Sequence, residues 1–406
     1  MNSHILNVWL HGEHLGELQR LRNGANRLRF DADALRRWGT GTRLLSYSLP
    51  LTSKRVESAS LDAWLDNLLP EGPVRAQLEQ QHGVRPSDAF GLLAHIGAEC
   101  AGAIQFTHQD DPPTGRLVPL DEAEVNRIVT DLPTLSPPEG ESISASLGGV
   151  QSKILLTRTP DGWAWPAAGA MSTHIVKPEP TDPSVPIPRI VEYEHWAMRV
   201  ARAAGVPAAR TDLVWFGDRL AIVVERYDRQ DGRRLHQEDF AQALGVRAGA
   251  KYEPSTEPVG RLRRIAVGPG GEALVPTAFW ELLLRLVAFN FLIGNGDAHA
   301  KNYSMILTEG VFALAPVYDV APVFHINNRF SNFGMRVNGA RDLRYLAPDD
   351  LVAEATTWGL SERAARDILD ESAQATLAAL DAVPGGPLTD PVREAAAQRI
   401  RSAGLR

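Results

Sequence analysis

The first hundred residues alternate short apolar runs with amphipathic stretches. Ile5-Leu-Asn-Val-Trp-Leu and Asn26-Arg-Leu-Arg-Phe have the two-residue period of strands. Asp31 to Trp38, Leu61 to Leu69, Val74 to His82 and Pro86 to His95 read as helices, with Ser87 or Asp88 placed to cap the last. Ala101 to Phe106 reads as a closing strand. Asp110 to Arg116 reads as a linker, a helix is expected near Leu120 to Val129, and Pro133 to Gly140 reads as a second linker.

The pattern then turns strand-rich from Ser142 to about Glu225, with short β-type runs at Lys153 to Thr157, Thr173 to Lys177 and Leu220 to Glu225. One amphipathic helix interrupts them, near Val191 to Ala204, ending at Gly205 with Pro207 beyond. From Gln237 onward helices dominate. Pro276 opens a long one in which Phe279, Leu282, Leu283, Leu286, Val287, Asn290 and Phe291 recur at helical spacing. Further amphipathic helices are expected near Ser361 to Leu369 and Pro391 to Ser402.

This order divides the chain into an N-terminal module over 1–107, a linker region with one helix over 108–141, a small β-rich lobe over 142–228 and a helical lobe over 229–406. At roughly 150 residues per domain, 406 residues suit two or three domains. The order fits an α+β, bilobal protein-kinase-like fold with an N-terminal α/β subdomain, although order alone does not choose a function.

Composition narrows the classes. With 44% hydrophobic and 22% charged residues the chain can bury a sizeable core. A net charge of −7 excludes a globally basic nucleic-acid binder, leaving only a local patch possible. The single cysteine, Cys100, forbids an intrachain disulfide and fits a reducing, cytoplasmic setting. Set among small residues, it reads as a packing residue. Met1 to Leu10 lacks the cationic and long apolar regions of a signal peptide. The most apolar stretch, Phe279 to Ile293, carries Glu281 and Arg285 and reads as a buried helix, so no membrane partner is expected.

Phosphoryl transfer needs donors around nucleotide phosphates, a carboxylate to orient the attacking hydroxyl, and Mg²⁺ ligands. Candidates for each occur in that order. In Ser146-Leu-Gly-Gly-Val-Gln-Ser-Lys153 the two glycines let backbone N–H groups approach phosphate oxygens, and Lys153 adds charge. The same residues could form a plain turn before a strand. Lys177 ends the apolar run His174-Ile-Val-Lys, where a phosphate-holding lysine or a solvated strand end would both fit. Glu192 and Glu194 on the next helix could pair with it or face solvent.

Gly294-Asn-Gly-Asp-Ala-His-Ala-Lys-Asn302 follows the buried helix directly. Asp297 and Asn302 have the Asp-x-x-x-x-Asn spacing that puts a base and a Mg²⁺ ligand on one turn. Seventeen residues on, Asp319 in Tyr318-Asp-Val offers a second Mg²⁺ ligand, or a simple turn after Pro316. A metallohydrolase cluster of His299 with Asp297 and Asp319 is a rival, weakened by the lack of a second histidine at ligand spacing.

On these segments, together with Val224-Glu-Arg-Tyr-Asp-Arg, Gln237-Glu-Asp-Phe, Trp64-Leu-Asp-Asn-Leu-Leu-Pro-Glu-Gly and Phe90-Gly-Leu-Leu-Ala-His-Ile-Gly, the chain resembles the HipA family, serine/threonine kinase toxins of bacterial toxin–antitoxin systems. The resemblance covers nearly the whole chain. It implies that Gly148, Gly149, Val150, Gln151, Ser152 and Lys153 form a nucleotide loop, that Lys177 contacts phosphate, and that Glu225, Arg226 and Tyr227 form a hinge beside adenine. It implies that Asp297 is catalytic, that His299, Ala300, Lys301, Asn302, Tyr318 and Asp319 complete an ATP site, and that Asn302 and Asp319 hold Mg²⁺. Ser146 matches the family's autophosphorylated serine. The implied partners are a HipB-like helix-turn-helix antitoxin, operator DNA through that complex, and a protein substrate such as an aminoacyl-tRNA synthetase. The loop departs from the family, reading Gly-Gly-Val-Gln-Ser-Lys where other members often have Ala and Glu at two positions, and DNA-contacting residues are not recognisable. A kinase-fold binding module without turnover, or a small-molecule kinase, would use the same nucleotide motifs.

Overall fold

The computed structural model describes residues 4–146, 148, 149, 151–182 and 187–405. The chain forms two compact units. The first comprises Met1–Pro178, Val214–Gly249 and Ile306–Gly310, and the second Glu179–Leu213, Ala250–Met305 and Val311–Arg406.

The first unit opens with a four-stranded antiparallel sheet of β1 (Ile5–Leu10), β2 (Glu13–Arg20), β3 (Asn26–Phe30) and β4 (Ile104–Thr107), in the order β3-β2-β1-β4. Leu6, Val8 and Leu10 alternate inward, as the period predicted. Strand β2 escaped the sequence pattern because only its middle is apolar: Leu15 and Leu18 are its large buried residues. Between them, a side chain at Gly16 would collide with the Arg29 carbonyl of β3.

Helices Ala59–Asn67, Gly72–Gln81 and Ala89–Ile96 lie where the apolar periodicity put them. Ser58 accepts from the Leu61 N–H at 3.1 Å, and Asp88 caps the last through the Gly91 N–H at 2.9 Å. Cys100 is fully buried, and burial pushes its thiol up to about 12, so it packs and does not react.

A six-stranded sheet follows, of β5 (Arg116–Leu120), β6 (Ile154–Thr159), β7 (Gly162–Ala167), β8 (His174–Pro178), β9 (Thr211–Phe216) and β10 (Arg219–Glu225), in the order β5-β7-β6-β8-β10-β9. The segment read as a linker thus contains an edge strand, β5, antiparallel to β7. Its exposed positions disguised it, since an edge strand buries too little to show a clean alternation. Leu6 and Leu18 of the first sheet and Ile154, Val176 and Val223 of the second share one hydrophobic core.

In the second unit, helix Pro276–Ile293 forms the centre, packed by Glu362–Ala382, Pro348–Thr356 and Asp390–Ser402. By length and composition it could cross a membrane, as the buried core helix of a folded protein also can. Its span is 61% buried inside the fold, which marks it as a core helix.

Candidate active site

The second unit carries the acidic candidate residues. Helix Pro276–Ile293 ends at Gly294, whose φ of +77° only glycine adopts without strain, and a Cβ there would strike the His325 ring. The next turn is tied back to the helix. The Asn295 amide donates to Asn290 Oδ1 at 2.8 Å, and Asn290 donates to the Leu286 carbonyl at 2.9 Å.

Asp297 and Asn302 are then locked together. The His299 N–H donates to the Asp297 carbonyl at 2.7 Å, the Asn302 N–H to the His299 carbonyl at 2.9 Å, and Asn302 Nδ2 to the Asp297 carbonyl at 2.9 Å. The backbone of Ala298 and His299 lies so close over Gly334 that no side chain fits there.

Asp319 sits at φ +57°, an uncommon conformation for a non-glycine residue. Its neighbour Tyr318 is fixed by donating to the Lys301 carbonyl at 2.7 Å and meeting the Ser304 hydroxyl at 2.6 Å. Ala300 and Lys301 are buried in the short turn that ends at Asn302, and the structure brings Asp297, His299, Lys301, Asn302, Tyr318 and Asp319 into one cluster.

The electrostatics follow. Burial lifts Asp297 to about 6; the Tyr252 hydroxyl and Lys251 oppose the rise, and the Asp319 carboxylate adds to it. Burial, reinforced by Lys251, lowers His299 to about 3, so its ring is neutral. His299 Nδ1 is buried without a hydrogen-bond partner among the described residues. Carboxylate and amide oxygens are hard donors, and those of Asp319 and Asn302 would suit Mg²⁺. Among the described residues no group of three or more His, Cys, Asp or Glu could hold a metal alone, which removes support from the metallohydrolase reading.

The first unit carries the glycine loop and the basic candidate residues. Ser146 is fully buried; its N–H donates to the Glu99 carbonyl at 2.7 Å and its hydroxyl to the Leu68 carbonyl at 2.6 Å. The Gly149 carbonyl accepts from the Glu71 N–H at 3.0 Å, and Lys153 Nζ donates to the Gly148 carbonyl at 2.6 Å. Val150 lies outside the described residues. Buried Gln151 Nε2 has no partner among them, and Ser152 is half-buried. Gly149, Gln151 and Lys153 line a cleft whose floor is apolar, formed by Val74, Leu78 and Trp165 among others.

Lys177 lies on β8 opposite Ile222 of β10 and is buried, so it is no solvated strand end. In the second unit Glu192 bonds Arg189 at 2.6 Å, while Glu194 is buried rather than on the surface. Glu225 is exposed at the end of β10, and the Tyr227 hydroxyl donates to Gln237 Oε1.

The Arg226 side chain turns into the interior. It is buried against Asp228 at 2.8 Å, Glu99 at 3.2 Å, and the Ser172 hydroxyl at 2.8 Å. Arg229 reaches the same Glu99 oxygen at 3.0 Å, and Arg234 reaches the other. Burial would raise the Glu99 carboxyl, but Arg229, Arg226 and Arg234 together hold it below the usual range. Only the Arg226 backbone, whose N–H donates to the Thr173 carbonyl at 2.9 Å, is left to shape the segment after β10.

Sequence reasoning missed Glu99 and the Lys251-Tyr252-Glu253 segment. No local period marks either, and an aromatic residue between two charges was the only available signal for the second.

Comparison with known proteins gives the family. Residues 6–107 match the HipA N-terminal domain and residues 145–380 the HipA-like C-terminal domain. A putative kinase of Sinorhizobium fredii, Y4mE, is 32% identical over 94% of this chain and 93% of its own. The serine/threonine-protein kinase toxin HipA of Shewanella oneidensis is 32% identical over 76% of this chain and 74% of its own. The solved complex of Shewanella oneidensis HipA with HipB and operator DNA contains a chain that superposes with a TM-score of 0.81 at 27% identity, covering 98% of this chain and 96% of that one. The fold is therefore the α+β kinase-like fold expected from the sequence. Both halves of the chain match in order, and relatives named as kinases align over most of its length, so it belongs to the HipA family of toxin kinases.

Proposed function

We propose that the chain is an ATP- and Mg²⁺-dependent serine/threonine protein kinase that acts as the toxin of a toxin–antitoxin pair. The observation that carries this reading is the acidic cluster: the Asp319 carboxylate is close enough to raise the cost of ionising Asp297, and Asn302 is bonded to the Asp297 backbone. In this reading Asp297 accepts the proton of an acceptor hydroxyl as its oxygen attacks the γ-phosphorus and ADP leaves. Asn302 and Asp319 would hold Mg²⁺, which neutralises charge on the phosphates. Lys177, Lys153 and the glycines at 148 and 149 would serve the phosphate chain, with Glu225 and Tyr227 beside the base.

The remaining finer points rest on resemblance. Ser146 would be the autophosphorylated serine, the protein target a translation component such as an aminoacyl-tRNA synthetase, and the cell compartment the cytoplasm. A HipB-like helix-turn-helix antitoxin would bring the chain to operator DNA, as HipB and operator DNA accompany HipA in the Shewanella oneidensis complex. Incubating the purified chain with γ-labelled ATP and Mg²⁺ should label Ser146, and Asp297→Ala should abolish the label. Tight nucleotide binding without any label would favour a binding module instead.

A further inference from the structure

The Tyr252 hydroxyl donates to Asp297 Oδ1, and its ring stands edge-on to His299 with centroids 5.1 Å apart. Tyr252 is nevertheless 43% exposed, so one face of the ring meets solvent beside the catalytic carboxylate.

The backbone on either side is tethered. Arg261 donates to the carbonyls of Ala250 and Lys251, each at 2.9 Å. The Glu253 N–H donates to the Gly334 carbonyl at 2.9 Å, and the buried Glu253 carboxylate binds Arg336 at 2.6 Å. These anchors order the segment, so the fold itself presents Tyr252 to Asp297.

A surface tyrosine usually turns its hydroxyl to water. Here two tethers and an aromatic neighbour aim it at the one carboxylate that the kinase reading assigns as base. We propose that Tyr252 is a positioning residue for the acceptor: it holds Asp297 through Oδ1, leaving Oδ2 to take the acceptor hydroxyl, and its exposed ring forms the wall along which the acceptor chain approaches. This rests on the kinase reading. A carboxylate free to rotate would present the proton-accepting oxygen in the reacting geometry only part of the time, and small misplacements of a catalytic group cost rate steeply.

The test is single-turnover labelling of Ser146 over a range of ATP concentrations, comparing wild type with Tyr252→Phe, which keeps the ring and removes the hydroxyl. The limiting rate should fall by about tenfold or more. Half-saturating ATP should stay within twofold, and the melting temperature should not move, because the lost group touches the acceptor side and not the nucleotide. A limiting rate within twofold of wild type would overturn the proposal. So would a faster variant, since the hydroxyl would then be a plug occupying the acceptor's place. If wild type itself takes no label, the kinase reading fails and this inference falls with it, an outcome distinguished by the wild-type reaction alone.

Discussion

The hydroxyl of Ser146 donates to the carbonyl of Leu68 at 2.6 Å, in a place fully closed to solvent. The serine that the family resemblance marks for phosphorylation is therefore inaccessible in this conformation. Its hydroxyl is latched to the end of the second helical stretch, its N–H to Glu99, and the Gly149 carbonyl to Glu71.

Phosphorylation therefore requires the loop to leave. A phosphate of about −1.5 to −2 charge cannot return to a buried site whose oxygen neighbour is a carbonyl. Ser146→Ala should cost about 1 kcal/mol, one hydrogen bond, and keep nucleotide binding. Ser146→Asp should weaken ATP binding and speed tryptic cleavage after Lys153. Equal cleavage rates for wild type and Ser146→Asp would mean that the latch does not control the loop.

Glu99 joins the residues before the second sheet to three arginines that come after it. Its side chain is fully buried, and its partners Arg226 and Arg229 are almost as deeply so. Neutralising it strands buried guanidinium charge, so Glu99→Gln should lower stability by about 3–5 kcal/mol in urea unfolding. A loss below about 0.5 kcal/mol would place those charges in contact with water instead.

In the proposed kinase, Asp297 as the base would set the pH dependence. Burial, helped by Asp319, lifts its carboxyl to about 6, against the pull of Tyr252 and Lys251. A general base works only when deprotonated. Phosphoryl transfer should fall roughly tenfold per pH unit below that value and level off above it. Rates measured from pH 5 to 8 at saturating ATP check this, and a flat profile would remove Asp297 from the role of base.

Local order was legible in the chain. Strands β1 and β3 announced themselves because each buries alternate residues, and burial imposes period 2 on the residues themselves. Strand β8 and helix Pro276–Ile293 showed instead as apolar runs, because burial on more than one side removes the polar face. Asp297 and Asn302 were readable as a pair because one turn spans their spacing. Edge strand β5 and half-polar β2 were not, because little of either is buried and partners supply what their own pattern lacks.

What only the tertiary structure decided are the long-range polar pairings. Arg226 meets Glu99 across 127 residues, and Tyr252 meets Asp297 across 45. A charge or hydroxyl carries no periodic signature, and its partner is chosen by where the folded backbone leaves room and excludes water. The sequence thus determined which groups were available for the proposed phosphoryl transfer; folding decided that Arg226 serves the core, that Ser146 is hidden, and that Tyr252 stands on Asp297.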